Sequence, residues 1–334
     1  MTKPNKYSYG LLFAFFNLCI ILILLALPAG VKVEVRNAFI SKKVDKNIFE
    51  VDLKEFKKTG LFKWYSEDIK EQFGQRTYFK TSVSDLVKLK MDDSSLVQNL
   101  VLLFSKNGSN KANECGLYSN NLEENIKWLN TNEGHGCCSD HAQVFIALGT
   151  LAGLTVREVH NDGHTFNEYW DRQFNKWVWV DPQFWLMAKN NEDSLLSLFD
   201  IQDLFSKNEF PTFYSFKNKG KYIDNLSMDE VFRLYYTAKN FNVIRMTSGN
   251  NIFVVDKYNS FLKFLPKSVV QTILLTSGIQ PGILYSESKP ILENKYNRYI
   301  FSFLGFGLLF LIVNIFLLKN TFQIQHRLPV KCIC

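Results

Sequence analysis

The sequence predicts an α+β fold in which helices pack on an antiparallel sheet, and this domain is placed between two transmembrane helices. Residues 155–181 contain three short runs rich in β-branched and aromatic residues, separated by turns. Apolar residues at helical spacing precede these runs, as in residues 139–152. An uncharged apolar run of about twenty residues lies near each end of the chain, at residues 9–28 and 299–318.

The composition excludes several classes of protein. The chain has 334 residues, of which 46% are hydrophobic, and this content is incompatible with a disordered chain. The formal net charge is +7, but basic and acidic residues alternate, as in residues 42–58. We therefore predict no nucleic-acid partner, because phosphate binding needs clustered positive charge. Six unevenly spread cysteines do not indicate a disulfide-rich scaffold in a chain of this length.

Both terminal apolar runs have the length needed to cross a bilayer. Twenty helical residues at about 1.5 Å each span a hydrocarbon core of about 30 Å. A cleaved signal peptide is the alternative for residues 9–28, and a buried helix is the alternative for residues 299–318. We predict a two-pass membrane protein that contacts the lipid bilayer through both runs. Weighting the lysines of the short tails, we expect both termini in the cytoplasm and residues 31–298 outside it.

Between the two runs, the hydrophobic pattern predicts alternating helices and strands. Helices are predicted at residues 94–105, 119–129, 139–152, 194–204, 227–238 and 265–276. Strands are predicted at residues 155–159, 164–170, 177–181 and 251–256, with short β-like pieces within 31–52. We divide the region into an N-terminal extension at 31–94, a core at 95–185, a C-terminal extension of unknown role at 186–298, and a tail at 319–334.

Two adjacent cysteines, Cys137 and Cys138, lie where the predicted helix of residues 139–152 begins. A thiol in the first turn of a helix is close to the positive end of the helix dipole, which favours the reactive thiolate. The backbone N–H groups of the same turn can stabilise an oxyanion. We predict Cys138 as the nucleophile because it is closer to the helix start, and Cys137 is the alternative.

A histidine and an aspartate occupy the ends of two neighbouring predicted strands. His164 begins the run 164–170, and Asp181 ends the run 177–181. If the turn between them centres on Arg172 and Gln173, His164 faces Asp181, with Cβ atoms about 4.5–5.5 Å apart. The carboxylate would then orient the imidazole toward a thiol. The alternatives are a structural histidine and an aspartate that merely ends a strand.

A metal site is the competing interpretation of the same stretch. His141 lies one helical turn after Cys138 and could join Cys137, Cys138 and His164 as zinc ligands. Adjacent cysteines chelate poorly, and no Cys-x-x-Cys spacing is present. We therefore predict neither a metal nor an organic cofactor. His135 and His160 have no evident partners in the sequence.

The ordered segments resemble the transglutaminase-like superfamily over roughly residues 95–185. The matching positions are Gly136 with Cys138, Ala152-Gly153-Leu154, Arg157 with Val159, His164 with Phe166, and Trp177 with Asp181-Pro182. Phe166 occupies a position where tryptophan is frequent in that superfamily. The resemblance implies a papain-like α+β core, a catalytic triad of Cys138, His164 and Asp181, and acyl transfer through a thioester.

Two functions follow as expectations. The first is a membrane-anchored cysteine acyl-transferase or hydrolase that attacks a peptide or side-chain amide of a protein substrate, with protease, amidase or transglutaminase activity. The alternative is a catalytically silent domain that serves as an envelope binding or assembly protein. In an oxidising compartment, Cys137 and Cys138, or Cys115 and one of them, can form a disulfide.

Overall fold

A computed structural model describes residues 11–20, 28–63, 77–105, 122–131, 135–216, 228–247 and 267–326. It confirms the α+β prediction, because helices and an extended β-sheet occur together. The chain divides into two compact units. One contains residues 1–39 and 291–334, and the other contains residues 40–290.

The centre of the second unit is a sheet of eight strands within the described residues. The strands are β1 (Ser41–Lys43), β2 (Val156–His160), β3 (Thr165–Asp171), β4 (Lys176–Asp181), β5 (Leu186–Lys189), β6 (Thr212–Ser215), β7 (Val243–Thr247) and β8 (Ile283–Glu287). Their spatial order is β1-β8-β7-β2-β3-β4-β5-β6. Strands β1 and β8 pair in parallel, and every other pair is antiparallel.

The described helices are numbered in chain order. They are α1 (Leu11–Ile20), α2 (Ala29–Ile40), α3 (Leu53–Phe56), α4 (Thr77–Lys88), α5 (Asp93–Phe104), α6 (Leu122–Leu129), α7 (Cys138–Leu151), α8 (Leu198–Ser206), α9 (Met228–Tyr235), α10 (Lys267–Thr276) and α11 (Ile291–His326). The helices predicted from the hydrophobic pattern between the apolar runs are confirmed, with bounds that differ by a few residues. Asp92 caps α5 by accepting from the Ser95 N–H at 2.8 Å, so this helix begins one residue before the start predicted at residue 94.

Helix α7 is the central helix of the second unit, and it packs on strands β2 and β3. All of its residues from 140 to 150 are buried. Gly149 permits a close approach to β2, because a Cβ atom there would lie 3.2 Å from the Val156 side chain. Gly153 then ends the helix in the left-handed region, at φ +82°.

A buried ion pair links the sheet to the segment before it. The Arg157 Nη2 atom lies 2.6 Å from Glu168 Oε2, and both side chains are fully buried. The guanidinium also lies over the Trp177 ring, 3.8 Å from the centroid, and donates to the Phe49 carbonyl. The second Glu168 oxygen accepts from the Leu198 N–H at 2.7 Å. The paired charges are therefore satisfied on several sides, as burial requires.

Strands from beyond residue 186 complete the sheet on both sides of β2–β4. Strand β7 pairs with β2, and strands β5 and β6 continue the sheet beyond β4. The C-terminal extension therefore contributes directly to the surroundings of the predicted site. The strand predicted at 251–256 lies outside the described residues.

The β-like pieces predicted within residues 31–52 were largely wrong. Residues 31–40 belong to helix α2, and Lys46–Phe49 is a 3₁₀ turn, so β1 is the one strand in this range. Valines favour strands weakly, and tertiary packing overrides that preference. Within its own unit, α2 packs on α11 through an ion pair of Glu34 with Lys295 and an edge contact of Phe39 with Phe303.

One helix in the described part of the chain, residues Ile291–Lys319 of α11, is long and apolar enough to cross a membrane. Only 11% of its most apolar window is buried, unlike a core helix. Helix α1 is a shorter apolar helix, and most of the rest of the predicted run 9–28 lies outside the described residues. The two helices contact each other within their unit. Asn17 Nδ2 donates to Asn314 Oδ1 at 2.9 Å, and Phe16 stacks on Phe310.

Candidate active site

Cys138 is the first residue of helix α7. Cys137 occupies the N-cap position in an extended conformation, and its N–H donates to Asp140 Oδ2 at 2.9 Å. Gly136 precedes it at φ +86°, where a Cβ atom would lie 2.4 Å from the Leu129 side chain. The chain therefore needs glycine at residue 136 to turn tightly against α6 and begin the helix at the thiol.

The two adjacent cysteines differ in chemical state. Cys137 is disulfide-bonded, and its partner lies outside the described residues. Cys138 is not in a disulfide, which also excludes a Cys137–Cys138 bond. Between these two adjacent residues, Cys138 alone has a thiol available as a nucleophile, and this distinguishes two residues that the sequence left as alternatives.

The structure brings His164 into contact with both Asp181 and Cys138. The His164 Nε2 atom lies 2.7 Å from Asp181 Oδ2, and the imidazole hydrogen-bonds the Cys138 thiol. Because Asp181 occupies Nε2, the nitrogen left for the sulfur is Nδ1. Asn161 Oδ1 accepts from the His164 backbone N–H at 3.0 Å and fixes the turn that carries the ring.

Asp181 accepts hydrogen bonds on both carboxylate oxygens. Oδ2 accepts from His164 and from the Tyr236 hydroxyl. Oδ1 accepts from the backbone N–H groups of Gln183 at 2.8 Å and Phe184 at 3.2 Å. The carboxylate is fully buried. Four donors satisfy both oxygens of this buried carboxylate and fix its orientation toward the imidazole.

The Asp181 side chain reaches His164 diagonally rather than directly. The β3–β4 register pairs Asn167 with Val180 and Asp171 with Lys176, so Asp181 continues opposite position 166. The predicted register, with His164 opposite Asp181, was therefore wrong by two positions. A shift of two residues keeps a side chain on the same face, and diagonal neighbours remain within reach.

Aromatic rings enclose the imidazole. Tyr235 stacks on His164 with ring centroids 4.7 Å apart, while Phe166 and Phe184 approach at 4.7 and 5.2 Å. Tyr235 and Tyr236 lie at the end of α9, in the C-terminal extension. Neither tyrosine was predicted from the sequence, because no motif surrounds them and no pattern places α9 beside β4.

The electrostatics of the site favour a thiolate–imidazolium pair. Burial lowers the pKa of His164, but the charges of Asp181 and Cys138 and the hydrogen bonds to both outweigh burial and raise it to about 10. Burial raises the pKa of the Cys138 thiol. The His164 charge and hydrogen bonds from His164 and Thr165 outweigh burial, so the pKa lies below its ordinary value. The nearby Tyr236 has its pKa raised well above the ordinary value by burial and by Asp181.

One of the four candidate zinc ligands is not available as a thiolate, because the Cys137 sulfur is in a disulfide. His141 Nδ1 lies 3.1 Å from the Cys137 carbonyl oxygen, and burial lowers the pKa of its imidazole to about 4. No group of three or more potential metal ligands occurs among the described residues. His141 is therefore a neutral, buried side chain next to the start of α7.

His160 has partners that the sequence did not indicate. Its Nε2 atom lies 2.7 Å from Glu158 Oε1, and its Nδ1 atom lies 3.0 Å from Thr165 Oγ1. His135 stacks on Trp128 at 5.3 Å. Both histidines are thus fixed by neighbours, and the contacts of His160 lead toward Cys138 through Thr165.

Comparisons of the chain with protein-family models, with curated proteins and with solved structures found no match.

Proposed function

We propose that the protein is a membrane-anchored cysteine acyl-transferase or hydrolase that cleaves an amide bond through a thioester on Cys138. One observation carries this proposal. A thiol outside any disulfide begins a helix and hydrogen-bonds an imidazole, which in turn lies 2.7 Å from a buried carboxylate. This order of groups is the one that an activated nucleophile requires.

In the first half-reaction, the Cys138 thiolate attacks the carbonyl carbon of the amide, and His164 holds the proton that the thiol has lost. The negative charge moves to the carbonyl oxygen. The backbone N–H groups of Cys138 and Ser139, in the first turn of α7, lack helical acceptors by their position and can donate to this oxygen, whereas the N–H of Asp140 donates to the Cys137 carbonyl. His164 then gives its proton to the nitrogen as the C–N bond breaks, leaving a thioester and a free amine.

In the second half-reaction, His164 takes a proton from the acceptor as the acceptor attacks the thioester. Water yields a carboxylic acid, and an amine yields a new amide. The C–S bond breaks, and the sulfur leaves as the thiolate that begins the next cycle. Asp181 accepts from Nε2–H of the imidazole throughout the cycle, so that Nδ1 serves the sulfur and the acceptor.

Membership of the transglutaminase-like superfamily is part of the same proposal. Two observations support it. Cys138, His164 and Asp181 follow each other along the chain in the order of the superfamily motif, and His164 interacts with both of the other two residues. The thiol begins α7, and α7 packs on the antiparallel strands β2 and β3. The histidine precedes β3 and the aspartate ends β4.

Acyl-enzyme trapping tests the proposed chemistry. Detergent-solubilised full-length protein is incubated with peptides that contain glutamine and C-terminal amides, quenched in acid, and digested for mass analysis. We expect an acyl adduct on the Cys138 peptide together with release of ammonia or amine. Adding hydroxylamine, a strong amine acceptor, should yield hydroxamate and show whether the thioester can pass to amines.

Two variants serve as controls for the trapping experiment. Cys138→Ala should abolish the adduct and the release of amine. His164→Ala should slow both by at least about 100-fold, as expected for loss of general acid–base catalysis. Equal product from Cys138→Ala would contradict the proposal, as would a wild-type protein that forms no adduct with any amide while its thiol alkylates normally.

A catalytically silent binding domain is the second candidate, and the burial of the imidazole favours it. The His164 side chain is 2% exposed and Asp181 is 0% exposed, which limits the access of a substrate. Saturable binding of a peptide without an adduct or release of amine, measured on the same preparation, would support this candidate over the enzyme.

We also propose the two-pass topology, with residues 31–298 outside the cytoplasm. The contacts of Asn17 with Asn314 and of Phe16 with Phe310 support two apolar helices crossing side by side, since a paired amide is tolerated inside a bilayer. Single cysteines introduced in place of Lys3 and Lys90 would be labelled on intact cells with an impermeant maleimide. Labelling at residue 90 alone is expected, and labelling at residue 3 alone would reverse the orientation.

A further inference from the structure

A buried asparagine links the turn that carries His164 to the end of helix α9. Asn161 lies between β2 and β3 and is 1% exposed. Its Oδ1 atom accepts from the His164 backbone N–H at 3.0 Å, and its Nδ2 atom donates to the Tyr235 carbonyl oxygen at 2.7 Å. One side chain therefore contacts both the proposed base and the residue whose ring stacks on that base. The mechanism of acyl transfer uses neither Asn161 nor Tyr235.

The two bonds of Asn161 require a donor and an acceptor on the same side chain. The His164 backbone N–H can only donate, so it needs an acceptor, and the Tyr235 carbonyl oxygen can only accept, so it needs a donor. An amide supplies both, and its two partners fix which of its atoms faces each of them. An ionised aspartate of the same shape would supply acceptors alone, so the position calls for asparagine.

The Tyr235 carbonyl belongs to the last residue of α9. Carbonyl groups in the last turn of a helix have no helical donors. Two asparagine side chains act as donors here, since Asn240 Nδ2 donates to the Leu234 carbonyl at 2.6 Å and Asn161 Nδ2 donates to that of Tyr235. The Asp162 N–H also donates to the Asn240 carbonyl at 2.8 Å. The end of α9 is therefore attached to the β2–β3 turn.

This attachment places an aromatic ring on the imidazole. The Tyr235 ring stacks on the His164 ring with centroids 4.7 Å apart and an angle of 30° between the planes. The next residue, Tyr236, donates its hydroxyl to Asp181 Oδ2, which also lies 2.7 Å from His164 Nε2. Tyr235 is partly exposed while the imidazole is 2% exposed, so the tyrosine ring lies between the imidazole and solvent.

We propose that Asn161 is a positioning residue for His164: its amide holds the Tyr235 ring on the imidazole, and the ring keeps the imidazole oriented toward Asp181 and shielded from water. The proposal rests on the proposed role of His164 as the base and acid of acyl transfer. A base that is held in one orientation transfers a proton without first reorganising. The C-terminal extension, to which α9 belongs, thereby acts on the reaction.

The direct measurement is the rate at which the proton on His164 Nε2 exchanges with water. It is followed by proton NMR at neutral pH in the detergent-solubilised full chain labelled with ¹⁵N-histidine, and loss of the resonance in His164→Gln assigns it. We expect slow exchange in wild type, because the bond to Asp181 is buried. A wild-type proton that exchanges as fast as that of a free imidazole would overturn the proposal.

Variants of Asn161 and Tyr235 separate the two ends of the link. Asn161→Ser removes the donor toward Tyr235 but keeps a hydroxyl that can accept from the N–H three residues later. Exchange should become about fivefold faster, as expected when local opening no longer breaks that hydrogen bond. Tyr235→Leu removes the ring and should have at least as large an effect. Tyr235→Phe should restore exchange to within about twofold of wild type, because the stacked ring is retained.

The double variant Asn161→Ser/Tyr235→Leu should match Tyr235→Leu alone, because Asn161 acts through the ring. Gln202→Met is the matched control, since Gln202 is also buried and its amide donates to the Phe241 carbonyl at 2.8 Å. It should lower the melting temperature as Asn161→Ser does and leave the exchange unchanged. Additive effects in the double variant would overturn the proposal, as would equal exchange in Asn161→Ser and Gln202→Met.

Acyl-adduct formation on Cys138, measured on the same preparations, separates the role of Asn161 from the proposed function. It should slow in Asn161→Ser and Tyr235→Leu, because proton transfer depends on the orientation of the imidazole. A wild-type protein that forms no adduct refutes acyl transfer itself, whatever the exchange rates are. Normal adduct formation together with unchanged exchange in Asn161→Ser refutes only the role of Asn161.

Discussion

Asp181 organises the site at the scale of single residues, because its two oxygens join the imidazole, a tyrosine hydroxyl and two backbone N–H groups. The sequence predicted the meeting of Cys138, His164 and Asp181 from their positions at the ends of three elements. It could not predict Tyr236, which lies 55 residues after Asp181. A hydroxyl that reaches a site from a distant helix leaves no periodic or motif signal in one sequence.

Removing that hydroxyl tests its part in holding the carboxylate. In Tyr236→Phe, Asp181 keeps three hydrogen-bond donors but loses the hydroxyl that donates to its Oδ2 atom. We therefore expect the free energy of unfolding to fall by about 1–2 kcal/mol. Alkylation of Cys138 at neutral pH should slow by a few-fold, because His164 is oriented less firmly. Tyr214→Phe is the matched control, since the Tyr214 hydroxyl lies 3.4 Å from the Met187 sulfur and has no hydrogen bond to a carboxylate among the described residues. Equal effects of the two variants would contradict the assignment.

The thiolate–imidazolium pair predicts a specific dependence of stability on pH. His164 has its pKa raised from 6.5 to about 10, and Cys138 has its pKa lowered from 9.0. Between pH 6.5 and 9.0, the folded pair holds one proton on His164 and the unfolded pair holds one on Cys138, so the pair adds no slope there. Above pH 9 the unfolded pair loses its proton first, and below pH 6.5 it gains one first. The stabilisation therefore falls on both sides.

Thermal unfolding of wild type and Cys138→Ser checks this dependence. The serine variant leaves only His164 of the pair to titrate, and it removes the Cys138 charge that helps to raise the His164 pKa while keeping the charge of Asp181. The stability contributed by a raised His164 pKa is full below pH 6.5 and is lost as the pH rises through the pKa of the folded variant. The difference between the two melting temperatures should therefore change across pH 6.5–9. A constant difference over this range would show that the pair is not ionised in the folded protein.

At the scale of secondary structure, the β3–β4 hairpin shows what one sequence can and cannot specify. The two strands were predicted from their alternating and β-rich runs, and they are confirmed. The conformation of the turn between them was not predicted. In the structure, Asp171 Oδ1 accepts from the backbone N–H groups of Gln173 and Phe174, and Asn175 adopts a left-handed backbone conformation at φ +51°. The observed pairing of Asp171 with Lys176 centres the turn on Gln173 and Phe174 instead of Arg172 and Gln173, and this shifts the register by two positions.

The start of α7 depends on Gly136, and substitution there tests whether the helix positions the thiol. In Gly136→Ala, the left-handed backbone costs about 1–2 kcal/mol, and the new methyl group would lie 2.4 Å from the Leu129 side chain. Gly153→Ala is the matched control, because it has φ +82° and open space around the added methyl. We expect Gly136→Ala to lower the free energy of unfolding more than Gly153→Ala does. The rate of Cys138 alkylation should fall at least about tenfold in Gly136→Ala and stay at the wild-type value in Gly153→Ala. Equal alkylation in the two variants would contradict this role.

At the scale of the whole molecule, every residue of the proposed site belongs to the unit of residues 40–290. The two apolar runs that flank this region are evident in the sequence from their length and composition alone. It did not predict that strands β7 and β8, or the tyrosines of α9, complete the core. Such long-range pairing depends on tertiary contacts that local patterns do not contain.

The division into units makes a direct prediction about a fragment. Residues 40–290 expressed without the apolar ends should fold on their own, because they contain the sheet, α7 and the buried core. We expect the fragment to be soluble, to unfold cooperatively, and to alkylate Cys138 within about threefold of the full chain in detergent. A fragment that is folded by circular dichroism yet inert toward iodoacetamide would show that the unit of residues 1–39 and 291–334 is needed to form the site.

The rate of Cys138 alkylation at pH 6, compared between wild type and His164→Ala in the full chain, tests the account most directly. An ordinary thiol is almost entirely protonated at this pH, so rapid labelling requires the lowered pKa that His164 provides. We predict rapid labelling of Cys138, a Cys137 peptide that stays disulfide-linked, and a rate at least about tenfold lower in His164→Ala. Equal rates in the two proteins, or labelling at Cys137 in place of Cys138, would contradict the account.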